Sequence, residues 1–134
     1  MDIGTYLLTA PAVEPVSLAE AKAQLRVDTS DEDDLIDGLI ETARAIVERE
    51  SGHRLITQSV QITYPYFAYA LPLSVWPLQS VTSVAYLDTA GASQPLDPAA
   101  YQIVETSRPK HLVPGYGLTW PTTRDDWNAV RVTV

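Results

Sequence analysis

Asp28, Asp31, Glu32, Asp33 and Asp34 fall within seven residues, a density of hard oxygen ligands that raises the question of calcium. A twelve-residue calcium loop needs glycine at its sixth position and a bidentate glutamate at its twelfth. Counted from Asp28 those positions are Asp33 and Leu39, and counted from Asp31 they are Ile36 and Thr42. The pattern fails both ways. What remains is a solvated helix start, where the positive end of the helix dipole accepts negative charge. His53 and His111, the only histidines, lie in no i,i+4 pair and beside no carboxylate at metal-ligand spacing. The chain has no cysteine, so thiolate ligands and disulfides are excluded. No metal and no cofactor are expected.

Nucleophilic catalysis has equally little to stand on. Ser17, Ser30, Ser51 and Ser74 lack the Gly-x-Ser-x-Gly elbow, and Gly115-Tyr116-Gly117 is too short, and too far from a helix start, to cradle phosphate. A carboxylate-based hydrolase would need a pocket that raises the pKa of an Asp or Glu; abundant acid on one exposed helix is not such a pocket. The expectation is a protein that is not an enzyme.

The segment from residue 64 to 76, YPYFAYALPLSVW, carries no charge over thirteen residues. Its aromatics suggest a stacking platform for single-stranded nucleic acid, but such platforms come with basic grooves and this segment has no Lys or Arg. Core or interface packing is the better reading. Tyr64, Tyr66, Phe67, Tyr69 and Trp76 are therefore candidates for a subunit interface.

Charge points the same way. Seventeen carboxylates against nine Lys or Arg give a net charge of -8, the wrong sign for wrapping nucleic acid by phosphate neutralisation. Residues 1–54 hold twelve carboxylates and five cations, whereas residues 55–134 hold five and four. The acid belongs to the first part of the chain. No apolar run reaches the roughly 20 residues of a membrane helix, and the N-terminus lacks the basic start of a signal peptide, so a soluble protein made in the cytoplasm is expected.

Two helices must position these acids. Ser17 followed by Glu20 is a capping box, and Leu18, Ala21 and Leu25 share one face of the first helix, read at about 17–26. Asp28, Thr29 and Ser30 favour a turn. A second helix, read at about 31–51, is capped by Ser30 or Asp31 and stopped by Gly52. In it Leu35, Ile36, Leu39, Ile40, Ala43, Ile46 and Val47 recur at three- and four-residue spacings, the pattern of a core-facing stripe. Leu39→Asp is accordingly expected to prevent folding by burying a lone charge. Asp37 and Glu41 repel at i,i+4, and Glu48 and Glu50 lie near the negative end of the dipole, so monomer helix stability does not account for them.

The rest of the chain has eight of the ten prolines, all three tryptophans and six of the seven tyrosines, a β-rich composition with many breaks. Strands are read at 58–64, 80–88, 101–105 and 129–134. Residues 88–92, DTAGA, form a hairpin turn with Gly91 at positive φ, pairing residues 80–88 with the segment near 93–96. Residues 65–77 read as an extended connection. The whole is one α+β domain, residues 1–134, with a helical part (15–54) packed on a C-terminal antiparallel β-rich part (55–134).

These residues resemble a known family. The opening PVSLAEAK at 15–22, LRVD at 25–28, the acidic Asp31-Glu32-Asp33-Asp34 start, the long amphipathic helix and Gly52 resemble head-tail connector (adaptor) proteins of tailed bacteriophages, prophages and gene transfer agents. The order continues through PLQSVTSV at 77–84, Tyr86, Asp88, Leu96-Asp97-Pro98, Tyr101, Trp120-Pro121 and VRVT at 130–133. Members of that family run on from the corresponding last strand into a glycine-containing turn and a further helix, whereas the last residue here, Val134, falls inside a predicted strand. The resemblance implies a structural protein of the virion neck, assembled from the host cytoplasm as a homo-oligomeric, dodecameric ring. Its neighbours would be the portal protein and a tail-completion or stopper protein. DNA would pass through without sequence-specific binding, and no membrane is involved. Under it Asp31, Glu32, Asp33, Asp34, Asp37, Glu41 and Glu48 become candidates for an acidic lumen or solvent face. The alternative is a small acidic protein-binding module, a DNA mimic or regulator, whose acid is itself the recognition surface.

Overall fold

A computed structural model of the chain describes residues 4–134. The elements are β1 (Gly4–Thr9), α1 (Leu18–Leu25), α2 (Asp33–Ser51), β2 (Ser59–Tyr64), β3 (Leu71–Leu73), β4 (Ser83–Leu87), β5 (Ser93–Pro95), β6 (Tyr101–Val104), β7 (Lys110–Pro114) and β8 (Val130–Thr133). This is the α+β order expected, two helices followed by antiparallel sheets. Two compact units result: Ala10–Gln58 holds both helices, and Ser59–Val134 joins β1 to hold the strands.

In the helical unit the capping box at Ser17 is complete. The Glu20 amide donates to Ser17 Oγ at 3.2 Å, and the Ser17 amide donates to Glu20 Oε2 at 2.8 Å. Those contacts with Ser17, backbone first, hold the Glu20 carboxyl below its ordinary value. Ser17→Ala should lower the unfolding free energy by about 1 kcal/mol, read as a shifted urea midpoint; an unchanged midpoint would mean that α1 is held by packing alone. The helix stops at Arg26, which takes the left-handed conformation at φ 56°, one residue before Val27. α2 begins later than its cap residues suggest. Residues 30–32 are spent on a turn closed by the Asp33 amide on the Ser30 carbonyl at 3.3 Å, so Glu32 is the cap, with no side-chain hydrogen bond. Lys22 Nζ meets Asp33 Oδ1 at 2.6 Å, tying the two helices together. Gly52 ends α2 at φ 69°, its amide on the Glu48 carbonyl at 3.0 Å.

The buried face of α2 is not the apolar stripe. Ile36 is buried and Ile40 half-buried, but the other deeply buried side chains are Arg44 and Glu48. Leu35, Leu39, Ile46 and Val47 remain 59%, 55%, 46% and 48% exposed, and Ala43 is exposed too. Positions 36, 40, 44 and 48 follow an i,i+4 row that is inclined to the helix axis, and polar groups complete it through hydrogen bonds. Leu39→Asp therefore leaves no charge in a folded core, and the expectation that it prevents folding is withdrawn. Leu18 and Ala21 of α1 are half-buried and Leu25 is exposed.

In the strand unit a five-stranded sheet, β1-β2-β8-β4-β5, accompanies a three-stranded sheet, β3-β7-β6. β8 lies between β2 and β4, with Val132 opposite both Ile62 and Val84. Alternation sends Val60, Ile62, Tyr64, Val84, Val130 and Val132 into one core with Leu71, Leu73 and Leu112 of the smaller sheet. β2, β4, β6 and β8 coincide with the strands read from pattern, though β4 starts at Ser83. The hairpin is as expected: Ala85, Tyr86 and Leu87 pair with Pro95, Gln94 and Ser93, and Gly91 has φ 85°. Asp88 accepts from Gln94 and from the Ala92 and Ala90 amides; these bonds, Gln94 first, hold its carboxyl below the ordinary range. Three strands escaped the pattern. β1 pairs with β2, β3 lies inside the supposed connection 65–77, and β7 joins β3 to β6.

Candidate functional site

The acids of α2 separate into two groups with different surroundings. Glu48 belongs to a closed network. Its Oε1 accepts from the Leu55 amide at 3.0 Å and from Gln58 Nε2 at 2.9 Å, while its Oε2 meets Arg44 Nη1 at 3.2 Å and Arg54 Nη1 at 3.5 Å. Arg44 Nε reaches Glu14 Oε2 at 2.6 Å, and that bond is the main cause holding the Arg44 guanidinium above its ordinary value. The Glu48 side chain is 3% exposed, so it leaves the set proposed for a lumen or solvent face. A carboxylate this close to the negative end of the dipole is stabilised by four donors rather than by water. Glu50, by contrast, is exposed beside Arg49, a pair of little energetic weight.

Asp31, Glu32, Asp34, Asp37 and Glu41 are exposed, and Asp33 is half-buried against Lys22. Asp34, Asp37 and Glu41 follow i, i+3, i+7 spacing and form one acidic stripe. Among the described residues none of the three has an ion-pair partner. At about 100° per residue, this stripe is centred roughly 165° around the helix from Leu35, Leu39, Ala43 and Ile46. One helix thus presents a wet acidic face and, nearly opposite, an uncovered apolar one.

The candidate interface aromatics also divide. Tyr64 is fully buried and its hydroxyl donates to the Pro72 carbonyl at 2.6 Å, so it is a core residue and not an interface one. Phe67 is half-buried and stacks on Trp120, centroids 4.6 Å apart and planes at 13°. Trp76 is half-buried beneath the Arg108 guanidinium, 4.2 Å from the ring centroid. Tyr66 and Tyr69 are exposed, Tyr69 at 88%. Trp120 Nε1 donates to the Ala68 carbonyl at 2.7 Å, which fixes the loop that carries both. Outside this segment Tyr116 and Trp127 are also largely exposed; pattern reading singled out neither, because an isolated aromatic in a loop carries no periodic signal.

Chemistry of other kinds is sparse. Ser107 Oγ and His111 Nδ1 share a hydrogen bond at 2.9 Å, a pair formed by the turn between β6 and β7 and invisible at four-residue spacing in sequence. Among the described residues no carboxylate bonds this imidazole, and the bond uses Nδ1, the nitrogen that a serine triad gives to its orienting acid. Among those residues, too, no group of three or more His, Cys, Asp or Glu is placed to hold a metal ion, and no helix is long and apolar enough to cross a membrane.

Comparison with known proteins supplies the remaining information. No curated protein matches the chain significantly. Among solved structures, a chain in the neck of an empty gene transfer agent particle, computed with C6 symmetry, has the same fold with a TM-score of 0.74 and 22% identity, covering 98% of this chain and 69% of that one. A chain in the virion of a native gene transfer agent particle gives 0.71 and 20%, covering 98% and 70%. One in the neck of the native particle, computed with C12 symmetry, gives 0.60 and 20%, covering 95% and 68%. The family model described as phage gp6-like head-tail connector protein matches residues 15–85, from the capping box of α1 through both helices, β2 and β3 into β4. That span is more than half of the chain, and the chain belongs to the phage gp6-like head-tail connector family of structural phage proteins.

Proposed function

We propose that this chain assembles as a homo-oligomeric ring in the neck of a tailed phage or phage-like particle. There it docks on the portal protein and offers its other face to a tail-completion or stopper protein, and the genome passes through its channel without sequence-specific contact. The observation that carries the reading is the family match over residues 15–85. It is supported by a fold shared with neck chains of particles computed with C6 and C12 symmetry. The role is structural rather than catalytic, and Tyr66 and Tyr69 are interface contacts to a neighbouring subunit.

The acidic stripe fits this role physically. A carboxylate facing the channel repels a passing phosphate backbone, and the repulsion reaches about 8 Å at physiological ionic strength before salt screens it. Among the described residues Asp34, Asp37 and Glu41 form no ion pair that would cancel their field, and in the ring α2 turns this stripe toward the lumen. The triple substitution Asp34→Asn, Asp37→Asn, Glu41→Gln should leave folding and ring formation intact and give rings that retain linear DNA in a low-salt retardation assay, where the parent ring does not. A map of the ring with these three carboxylates on its outer rim would overturn the lumen assignment.

A further inference from the structure

Among the described residues, two exposed stretches present apolar side chains without a charge between them. The first is the α2 stripe of Leu35, Leu39, Ala43 and Ile46, exposed although it is the most hydrophobic face of the helix. The second is the edge strand β1, GTYLLT, where Tyr6, opposite Gln61 on one face, and Leu7, opposite Val60 on the other, are both 54% exposed, and Leu8, at the register irregularity, is 52% exposed. β1 is an edge strand, bonded to β2 on one side only, and it has neither the charge nor the proline with which such edges are normally protected. The irregularity between Leu7 and Thr9 in its register with β2 breaks the regular edge that another strand would need, which favours cover by a helix over extension of the sheet.

We propose that the α2 stripe of one copy of the chain lies over strand β1 of the next copy. This rests on the ring reading above. A cyclic ring is built from heterologous contacts, so each subunit must offer two different surfaces that fit each other, and these two are of matching chemistry and length. Leu35 to Ile46 spans about 16 Å of helix at 1.5 Å per residue, and the six residues of β1 span about 17 Å at roughly 3.4 Å per residue. Charge selects the occupant as well. Copies carrying a net charge of -8 each repel, and close approach is least opposed across surfaces that hold no carboxylate. The arrangement leaves Asp34, Asp37 and Glu41 on the far side of α2, away from the contact.

The absence of natural cysteine makes the test direct. Leu7→Cys and Leu39→Cys are introduced together at two exposed sites, rings are formed and identified by mass photometry, and a short bis-maleimide is added. A ladder of dimers, trimers and higher species is expected from the double variant, and dimers alone from a mixture of the two single variants. Assembled rings that give no ladder, or that cross-link Leu39→Cys only to itself or to an added portal protein, overturn this contact while leaving the ring reading standing. A chain that forms no ring at any concentration, alone or with portal, overturns both.

Discussion

Glu48→Ala should lower the unfolding free energy by about 3 kcal/mol, the low end of the cost of breaking a buried ion pair from one side. The substitution strands the Leu55 amide and part of the Arg44 guanidinium and takes one of two acceptors from Gln58 Nε2, which keeps the Ile56 carbonyl at 3.3 Å; these donors now meet the single carboxylate at 3.0, 3.2 and 2.9 Å. Arg44 keeps Glu14 at 2.6 Å, so the loss is not that of an isolated charge. Replacing both partners, Arg44→Met with Glu48→Leu, should recover the part of the loss that comes from the half-paired guanidinium, because its desolvation cost goes with it, while the Leu55 amide stays without its acceptor and Glu14 without its partner. Urea unfolding of the three proteins decides the matter. A Glu48→Ala midpoint equal to that of the parent would mean that the network is decoration, and that the turn after α2 is held by Gly52 alone.

The second large effect falls on assembly rather than on folding. Leu39→Asp should give a folded monomer with a urea midpoint close to that of the parent, since the site is exposed and surface changes of this kind usually stay within about 0.5 kcal/mol. In a ring whose contacts cover that stripe, however, it buries a carboxylate without a partner at every subunit boundary. At about 3 kcal/mol per contact, each boundary weakens about a hundredfold, and cyclic closure multiplies the loss. Circular dichroism should be unchanged while mass photometry shows monomers at concentrations where the parent forms rings. A Leu39→Asp protein that still closes into rings would exclude α2 from the interface; one that fails to fold would restore the stripe to the core.

That reversal shows where the sequence was informative and where it was not. Ser17 with Glu20, Gly52 and Gly91 each write a local backbone event into neighbouring residues, and each is found as read. The alternating valines of β8 and the apolar positions of β2 specify a buried face, and both strands are central in their sheet. β1, β3 and β7 were missed because their existence depends on remote partners: Gly4 pairs with Thr63, and Leu71 with Leu112. β3 also contains Pro72, a residue that argues against a strand unless the strand lies at an edge, as β3 does.

The spacing of Leu35, Leu39, Ala43 and Ile46 says that these side chains share a face and is silent on whether the chain itself or a neighbour covers it. The Glu14–Arg44–Glu48 network was illegible for a related reason. An Arg and a Glu at i,i+4 normally form a solvated pair, and nothing local announces that Glu14, thirty positions before Arg44, completes a buried one. The same holds for Tyr64, whose place in an uncharged aromatic run suggested a surface until its pairing with Val130 put it inside the core.

The most direct test of the ring connector is native mass spectrometry of the purified chain mixed with a portal ring from the same genome. The account predicts a complex carrying twelve copies per portal, the symmetry of the native neck in which a chain of this fold occurs. A chain that stays monomeric and leaves the portal bare, yet binds a basic DNA-binding protein in a salt-sensitive way, would contradict it and make the acidic face a recognition surface instead.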